Sequence, residues 1–188
     1  MGNVANVSAG KPKVGGAICR APLGTTLPTD ATTSLDAAFK NLGYCSEDGL
    51  TNSNTAETSE VKAWGGDTVL VIQSSKSDTY TFTLIESTNT EVLKSVYGDS
   101  NVSGDLTTGI VIKANNAEQE EKAWVIDMIL KGGVLKRIVI PNGKVSQVGE
   151  INYGDSSAIG YPTTLSCTPD TAGNTHYEYI IKTTTEGE

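Results

Sequence analysis

The sequence lacks the groups on which most enzyme and metal chemistry depends. Its 188 residues contain one histidine, His176, and three widely spaced cysteines, Cys19, Cys45 and Cys167. No CxxC pair, Cys/His cluster or G-x-S-x-G turn accompanies them, so no zinc site, disulfide framework or hydrolase triad is indicated. We therefore predict a protein that is not an enzyme, has no cofactor or metal, and keeps its cysteines as free thiols in a reducing cytoplasm.

Basic residues and long apolar runs are also scarce. Lys and Arg number 14 against 22 Asp and Glu, which gives a formal net charge of −8. Because binding to a phosphate backbone needs lysine and arginine, this balance disfavours direct contact with nucleic acid or an anionic membrane surface. No apolar run approaches the ~20 residues of a membrane span, and the first residues lack the apolar centre of a signal peptide. We expect neither membrane association nor a secretion signal.

The residues that are abundant favour strands and turns. Thr, Ser, Val, Ile and Gly dominate, and Tyr80, Phe82 and Leu84 alternate with threonines as in a half-buried strand. Strands are predicted at Ala17–Arg20, Val69–Gln73, Thr79–Glu86, Gly109–Ala114, Ala123–Leu130, Val134–Ile140, Lys144–Val148, Tyr161–Cys167 and Tyr177–Lys182. Hairpin turns are predicted at Trp64–Asp67, at Gly132-Gly133 and at Asn142-Gly143. This spacing is typical of a β-sandwich or barrel.

Helical signals are few. Thr88 and Glu91 match a capping box, and an apolar stripe from Val92 to Tyr97 leads to Gly98, which suits a left-handed cap. This pattern predicts one short flanking α-helix over residues 88–97. A weaker spacing of apolar residues over Leu35–Leu42 predicts one or two further helical turns.

The chain divides most simply into one domain with two tails. Residues 1–16 are polar and without periodicity, which indicates a flexible arm, and residues 184–188 are expected to be a frayed C-terminal tail. We expect a single β domain over residues 17–183. Within it, Ser46–Glu60 is a polar run that predicts a long loop, and loops of this length are often functional.

One predicted hairpin is apolar on both faces. In the segment Ala123–Ile140, both alternating sets of residues are largely hydrophobic, whereas a strand covered on one side has a polar outer face. A second burial surface predicts either a covering element or a subunit interface. For the interface we select Val125, Asp127, Ile129, Leu135 and Val139.

The order of several segments resembles a known family. A Pro/Thr-rich lead-in at Gly24–Leu27 is followed by Leu35–Phe39, Leu42–Ser53, Trp64–Val69, Phe82–Glu86 and Val92–Gly98. In order and spacing these segments resemble the major tail tube protein of long, non-contractile-tailed (siphovirus-type) bacteriophages. The likeness covers the N-terminal half well and the remainder only by its strand pattern.

The resemblance implies a structural virion protein. Such proteins have a tail-tube-type β-sandwich with a flanking helix, and they assemble into hexameric rings that stack into the tail tube through which DNA passes. The implied partners are the chain itself and other tail components, such as the tape measure, terminator and distal tail proteins, with DNA passing the lumen without specific binding. Synthesis is then expected in the bacterial host cytoplasm, and the final location is the phage tail.

The resemblance also assigns roles to particular residues. A long inter-strand loop grips the neighbouring ring, so the ring-stacking loop is expected to use Ser46, Glu47, Asp48, Leu50, Asn52, Asn54, Glu57 and Glu60. Candidate carboxylates for an acidic lumen are Glu150, Asp155 and Glu178, chosen because they lie on or beside late strands.

Two other interpretations stay open at this point. The chain could be a different ring-forming tail component or a type VI secretion tube protein, with the same architecture and a different stacking partner. It could also be a β-rich surface or capsid-decorating binding module, which would assemble no tube.

Overall fold

Antiparallel strands are the main regular secondary structure of the computed structural model, which describes residues 2–182. A nine-stranded sheet and a two-stranded sheet are accompanied by one α-helix, so the predicted mainly β fold class with one short flanking helix is confirmed. The strands are β1 (Lys11–Pro12), β2 (Ile18–Pro22), β3 (Lys40–Asn41), β4 (Cys45–Lys62), β5 (Thr68–Leu84), β6 (Val102–Ser103), β7 (Val111–Ile112), β8 (Lys122–Ile129), β9 (Val134–Val148), β10 (Tyr161–Thr168) and β11 (Tyr177–Lys182). The helix α1 is Thr90–Tyr97, and 3-10 turns occur at Val4–Asn6, Asp99–Asn101 and Lys131–Gly133.

The large sheet is organised around the long strand β9. The strand order is β3-β2-β8-β9-β10-β5-β4, and β1 also pairs with β8. One edge of β9 pairs with β8, while its other edge pairs with β11 over residues 134–139 and with β10 over residues 142–148. Because one strand serves two different neighbours along its length, the sheet has two parts that share β9.

The main core lies between this sheet and α1. Its buried members include Tyr80, Phe82 and Leu84 from β5, as the alternation of that strand predicted. Val92 and Val96 supply the apolar side of the helix. Burial of each such side chain is worth about 1.5–3 kcal/mol, so this layer anchors the base of β5 firmly.

The helix begins one residue later than the capping box predicted. Asn89, not Thr88, is the N-cap, because its side-chain oxygen accepts a hydrogen bond from the Glu91 amide at 3.0 Å. Asparagine caps a helix at least as well as threonine, so Asn89 occupies the N-cap position instead of Thr88. At the other end Gly98 ends the helix as expected, and its amide donates to the Lys94 carbonyl. Its φ of 99° is positive, but its ψ of 143° differs from the left-handed cap that was predicted.

The turn predicted at Asn142-Gly143 is wrong, because β9 runs straight through it. Gly143 has no positive φ; it lies against Trp124, whose Cδ1 would be 2.7 Å from an added Cβ. The Trp124 indole also donates to the Gly143 carbonyl at 3.0 Å. Glycine at this position lets the buried Trp124 ring pack closely against the backbone. The Asn-Gly dipeptide by itself does not distinguish this role from a turn.

Other predicted elements differ in extent. The Gly132-Gly133 turn is confirmed, with φ near 77° at both glycines (78° and 76°), and β11 has the predicted limits. The helical turns predicted over Leu35–Leu42 are absent from the described structure; Asp36 instead forms a tight turn by accepting from the Ala38 amide. Aspartate satisfies nearby amides in this way at the expense of a helix.

Part of the N-terminal segment is attached to the sheet. Lys11 and Pro12 pair with Ile129 and Met128 of β8, so part of the stretch expected to be a flexible arm lies against the body. The frayed C-terminal tail expected at 184–188 lies outside the described residues.

Candidate functional site: an exposed assembly surface

The long loop predicted at Ser46–Glu60 is instead a β-strand, and this correction defines the main surface feature. These residues belong to β4, which pairs with β5 from Cys45↔Leu84 to Lys62↔Thr68. Its Ser, Thr and Asn side chains suggested a loop because both faces are exposed, so neither carries an apolar alternation. A strand exposed on both sides has no buried set to reveal its period of two.

The outer part of this pair forms an arm, here called the distal hairpin, over residues 55–77. Every one of its residues is exposed. From Asn54 to Lys62 it extends roughly 26 Å at about 3.3 Å per residue. The turn predicted at Trp64–Asp67 is present at its tip, where the Ala63 amide donates to the Asp67 carbonyl at 2.8 Å. An isolated two-stranded ribbon is marginally stable in water, so this arm gains from cover by another surface.

The distal hairpin carries an uncovered apolar stripe. Val61 lies opposite Leu70, and Ser59 lies opposite Ile72, so Val61, Leu70 and Ile72 share one face. All three are about half exposed, and Trp64 at the tip is fully exposed. Contiguous exposed apolar residues on a projecting arm are typical of an interaction surface.

A buried carboxylate fixes the base of the arm. Asp78 is 4% exposed and accepts hydrogen bonds from Asn52 at 2.8 Å and Thr175 at 2.6 Å. His176 Nδ1 lies 2.5 Å from the same carboxylate and its ring packs edge-on against Tyr80. Burial raises the pKa of Asp78, but the hydrogen bonds from Thr175, Asn52 and His176 outweigh it and hold the pKa below its ordinary value. The single histidine thus ties the turn before β11 to the hairpin base.

The predicted subunit interface on β8 and β9 is wrong for its two central valines. Val125 and Val139 are fully buried within the chain itself. They form a second core with Phe39, and Leu27 and Leu35 pack against it from the connection between β2 and β3. The covering element that the doubly apolar pattern allowed is therefore this Pro/Thr-rich connection. Its irregular backbone hid that role from periodicity.

The carboxylate of Asp127 is also paired within its own chain. Arg137 Nε and Nη2 donate to its two carboxylate oxygens at 2.6 and 2.9 Å. Arg137 Nη1 donates to the backbone carbonyls of Asp30 and Thr33, so the pair ties down the covering connection. Lys13 lies 3.3 Å from the Asp127 carboxylate on the exposed side. A bidentate, buried pair of this kind orients parts of one subunit.

The other two interface candidates remain partly accessible. Ile129 and Leu135 are half-buried and lie opposite each other near the Gly132-Gly133 turn. A role for them in subunit contact stays a prediction.

The strands β4 and β11 each have an edge that is unpaired within residues 2–182. β4 is the last strand of the order at one end, so the outer edge of its 18 residues is free, and β11 pairs only with β9. Ile180 and Ile181 of β11 are also exposed. Free edges are templates for pairing with another chain.

The carboxylates predicted for a lumen do not form one group. Glu150 and Asp155 are exposed in the connection between β9 and β10. Glu178 lies on β11 and pairs with Lys136 at 2.8 Å, which offsets its charge. Their role in a lumen stays a prediction.

The groups usually sought at a chemical site are dispersed. Residues 2–182 contain no group of three or more His, Cys, Asp or Glu side chains that could hold a metal ion. The three cysteines are free and half-buried, and burial raises the pKa of Cys19 and Cys45 to about 11 and that of Cys167 to about 12. Across the described part of the chain, no helix is long and apolar enough to cross a membrane.

Comparison with known protein families identifies a match for this chain. A family model described as "Phage tail tube protein" matches residues 9–188, which includes both cores and the distal hairpin. No curated protein matches the chain. The family match extends the likeness seen in the N-terminal motifs through the C-terminal strands.

Proposed function

Since the chain belongs to the phage tail tube protein family, and is thus a structural component of a virion tail, we propose that it stacks as hexameric rings into the tube of a long, non-contractile tail. Edge pairing of sheets between neighbours would close each ring, and the distal hairpin would join one ring to the next. Closing sheets between subunits removes free edges that would otherwise pair without control.

The observation that carries this proposal is the distal hairpin. A ribbon extending roughly 26 Å from the body, exposed on both faces, contributes little to the core of its own subunit. Its apolar stripe of Val61, Leu70 and Ile72 has no cover within the described chain. Such a structure is explained when a second subunit supplies the missing contacts.

The residues first assigned to a stacking loop divide along the arm. Asn52, and with it Leu50, lies on the inner part of β4 near the body, whereas Glu57 and Glu60 lie on the distal hairpin. We assign ring stacking to the distal members. The inner members, which include Ser46, Glu47 and Asp48, lie where the arm joins the sheet.

We further propose that the tube is a conduit for DNA ejection with little affinity for DNA. A net charge of −8 favours a surface that repels a polyanion. Glu150 and Asp155 are exposed and available for a lumen, whereas Glu178 is partly offset by Lys136. The tape measure, terminator and distal tail proteins are the expected additional partners. Tight, salt-sensitive binding of DNA in a gel-shift assay would contradict the conduit.

Electron microscopy of the purified protein tests the assembly directly. We expect six-fold rings and tubes for the wild type, and folded, non-assembling subunits for the double variant Leu70→Thr/Ile72→Thr. Threonine keeps the strand preference and removes the apolar contact. Leu106→Thr, also at an exposed position but outside the hairpin, is the matched control and should still form tubes. Sedimentation as a monomer at every concentration of wild type would exclude the proposal.

A further inference from the structure

An apolar groove lies on the body near the start of the hairpin. It encloses about 700 Å³ between residues 10–18, the beginning of β4 and the end of β8. Its apolar lining is supplied by Pro12, Val14, Ile18, Leu50 and Met128. Val14 is almost fully exposed at the groove, so part of this lining is open to a partner.

The groove and the apolar stripe cannot meet within one molecule. Leu50 in the groove and Ser59 at the start of the stripe lie on the same strand, roughly 30 Å apart at about 3.3 Å per residue. β5 is continuous from Thr68 to Leu84 and holds the ribbon extended through its pairing with β4. The stripe can therefore reach a groove of this kind only on a second copy.

We propose that the apolar stripe of one subunit binds in the groove of another copy of the chain. This rests on the proposed function and names the surface that receives the distal hairpin. Val61, Leu70 and Ile72 would meet Val14, Leu50 and Met128, so apolar area exposed on both partners would leave water together.

Charges beside the two surfaces are complementary. Lys11 is exposed at the groove, and within residues 2–182 it makes no ion pair. Glu57 lies on the same face of β4 as Ser59 and Val61, whereas Glu60 lies opposite Val71 on the other face. Glu57 is exposed and likewise makes no ion pair within residues 2–182. Lys11 against Glu57 would orient the hairpin as it enters, since opposite charges at the rim of an interface fix its register.

This contact also has a consequence for growth. The stripe and the groove are different surfaces, and each subunit carries one of each, so the contact is head-to-tail and leaves both ends open. Repetition along the direction of the hairpin extends a stack, while edge pairing closes each layer.

Cross-linking between two single-cysteine additions tests the proposal. Leu70→Cys and Val14→Cys proteins are mixed, allowed to assemble and oxidised, and a covalent species of twice the subunit mass is expected. Leu70→Cys mixed with Leu106→Cys is the matched control. Leu70→Cys alone measures any link to native Cys45, which also lines the groove. The control and the single variant should give little of the linked species.

A charge exchange gives a second readout that does not depend on thiols. Lys11→Glu should raise the protein concentration needed for tube growth about twofold to fivefold, as expected for one exposed ion pair. Adding Glu57→Lys should restore growth at the wild-type concentration.

The outcomes separate this inference from the proposed function. Tubes that form without the Val14–Leu70 link, or that ignore the charge exchange, would overturn the groove assignment and leave the tube function standing. Wild-type protein that never assembles would overturn both. Tubes with the link and with charge rescue would establish the contact.

Discussion

The two tryptophans of this chain have opposite surroundings. Trp124 on β8 is 1% exposed, packs against Phe82 and donates its indole N–H to the Gly143 carbonyl. Trp64 at the tip of the distal hairpin is fully exposed. The body of the subunit uses its large apolar residues to fold, whereas the distal hairpin presents them outward.

This contrast separates two kinds of residue in one chain. In the body, an apolar side chain stabilises the subunit and its loss leaves a cavity. On the hairpin, the same side chain contributes almost nothing to folding and remains available for assembly. Variants in the two regions should therefore change different measurements.

The largest difference is expected for the two tryptophans themselves. Trp124→Ala should lower the free energy of unfolding by about 3–5 kcal/mol through cavity formation. Trp64→Ala should change the free energy of unfolding by about 0.5 kcal/mol or less, since it is an exposed surface position. Urea unfolding of both variants measures the comparison. Equal destabilisation by the two substitutions would abolish the distinction between body and hairpin.

The buried ion pair between Asp127 and Arg137, under the covering connection, should also affect only the stability of the body. Arg137→Met leaves Asp127 buried with Lys13 as its remaining partner, and we expect a loss of up to about 3–5 kcal/mol. Replacing both members, as Arg137→Met/Asp127→Leu, should recover much of that stability. Lys13→Met, which removes the exposed partner, is the control and should cost about 1 kcal/mol or less. Chemical denaturation of the three variants decides the ranking.

The junction between the two regions should show a pH-dependent effect. Asp78→Asn should lower the free energy of unfolding by about 1–3 kcal/mol near neutral pH, because it removes a buried hydrogen-bonded carboxylate. The folded-state pKa of Asp78 is lowered, so its contribution is present above the unfolded pKa of about 3.9 and is lost as pH falls through the folded value.

Unfolding measured from neutral to acidic pH checks this sign. The difference between wild type and Asp78→Asn should narrow as the pH falls below about 4, where the unfolded carboxyl takes up its proton. A difference that stays constant with pH would mean that the ionised carboxylate does not stabilise the junction.

The effect on stability should also be small where the largest piece is removed. Replacing residues 57–75 by Asn-Gly joins Ala56 to Lys76, which already lie opposite each other, through a two-residue turn. Because the removed residues are all exposed, the change in free energy of unfolding should stay near that of a surface variant, about 0.5 kcal/mol. Tube growth in electron micrographs should be lost.

The design of that truncation follows from the strand pairing. Removing only residues 51–58 would delete paired positions from β4 alone and leave β5 unpaired over the same length. A truncated protein that still forms long tubes would show that the distal hairpin has no part in stacking.

The body and the distal hairpin also differ in how much of their structure could be predicted from the sequence. In the body, the alternation of Tyr80, Phe82 and Leu84 and the stripe of α1 were visible because one face of each element is buried. The distal hairpin has no buried face, so β4 had the composition of a loop. The second core was predicted only in part. The two apolar faces of β8 and β9 correctly indicated that both faces are covered, but the sequence pattern did not identify the covering segment.

The sequence by itself determined the mainly β fold, the single short helix, the turns at Trp64–Asp67 and Gly132-Gly133, and the tail tube family, because local periodicity, turn chemistry and motif order are properties of neighbouring residues. Only the tertiary structure decided that Ser46–Glu60 is a strand, that Leu27, Leu35 and Phe39 cover Val125 and Val139, and that His176 meets Asp78. Those contacts join residues far apart in the chain, and they depend on strand register and on the path of irregular segments, which no local pattern specifies.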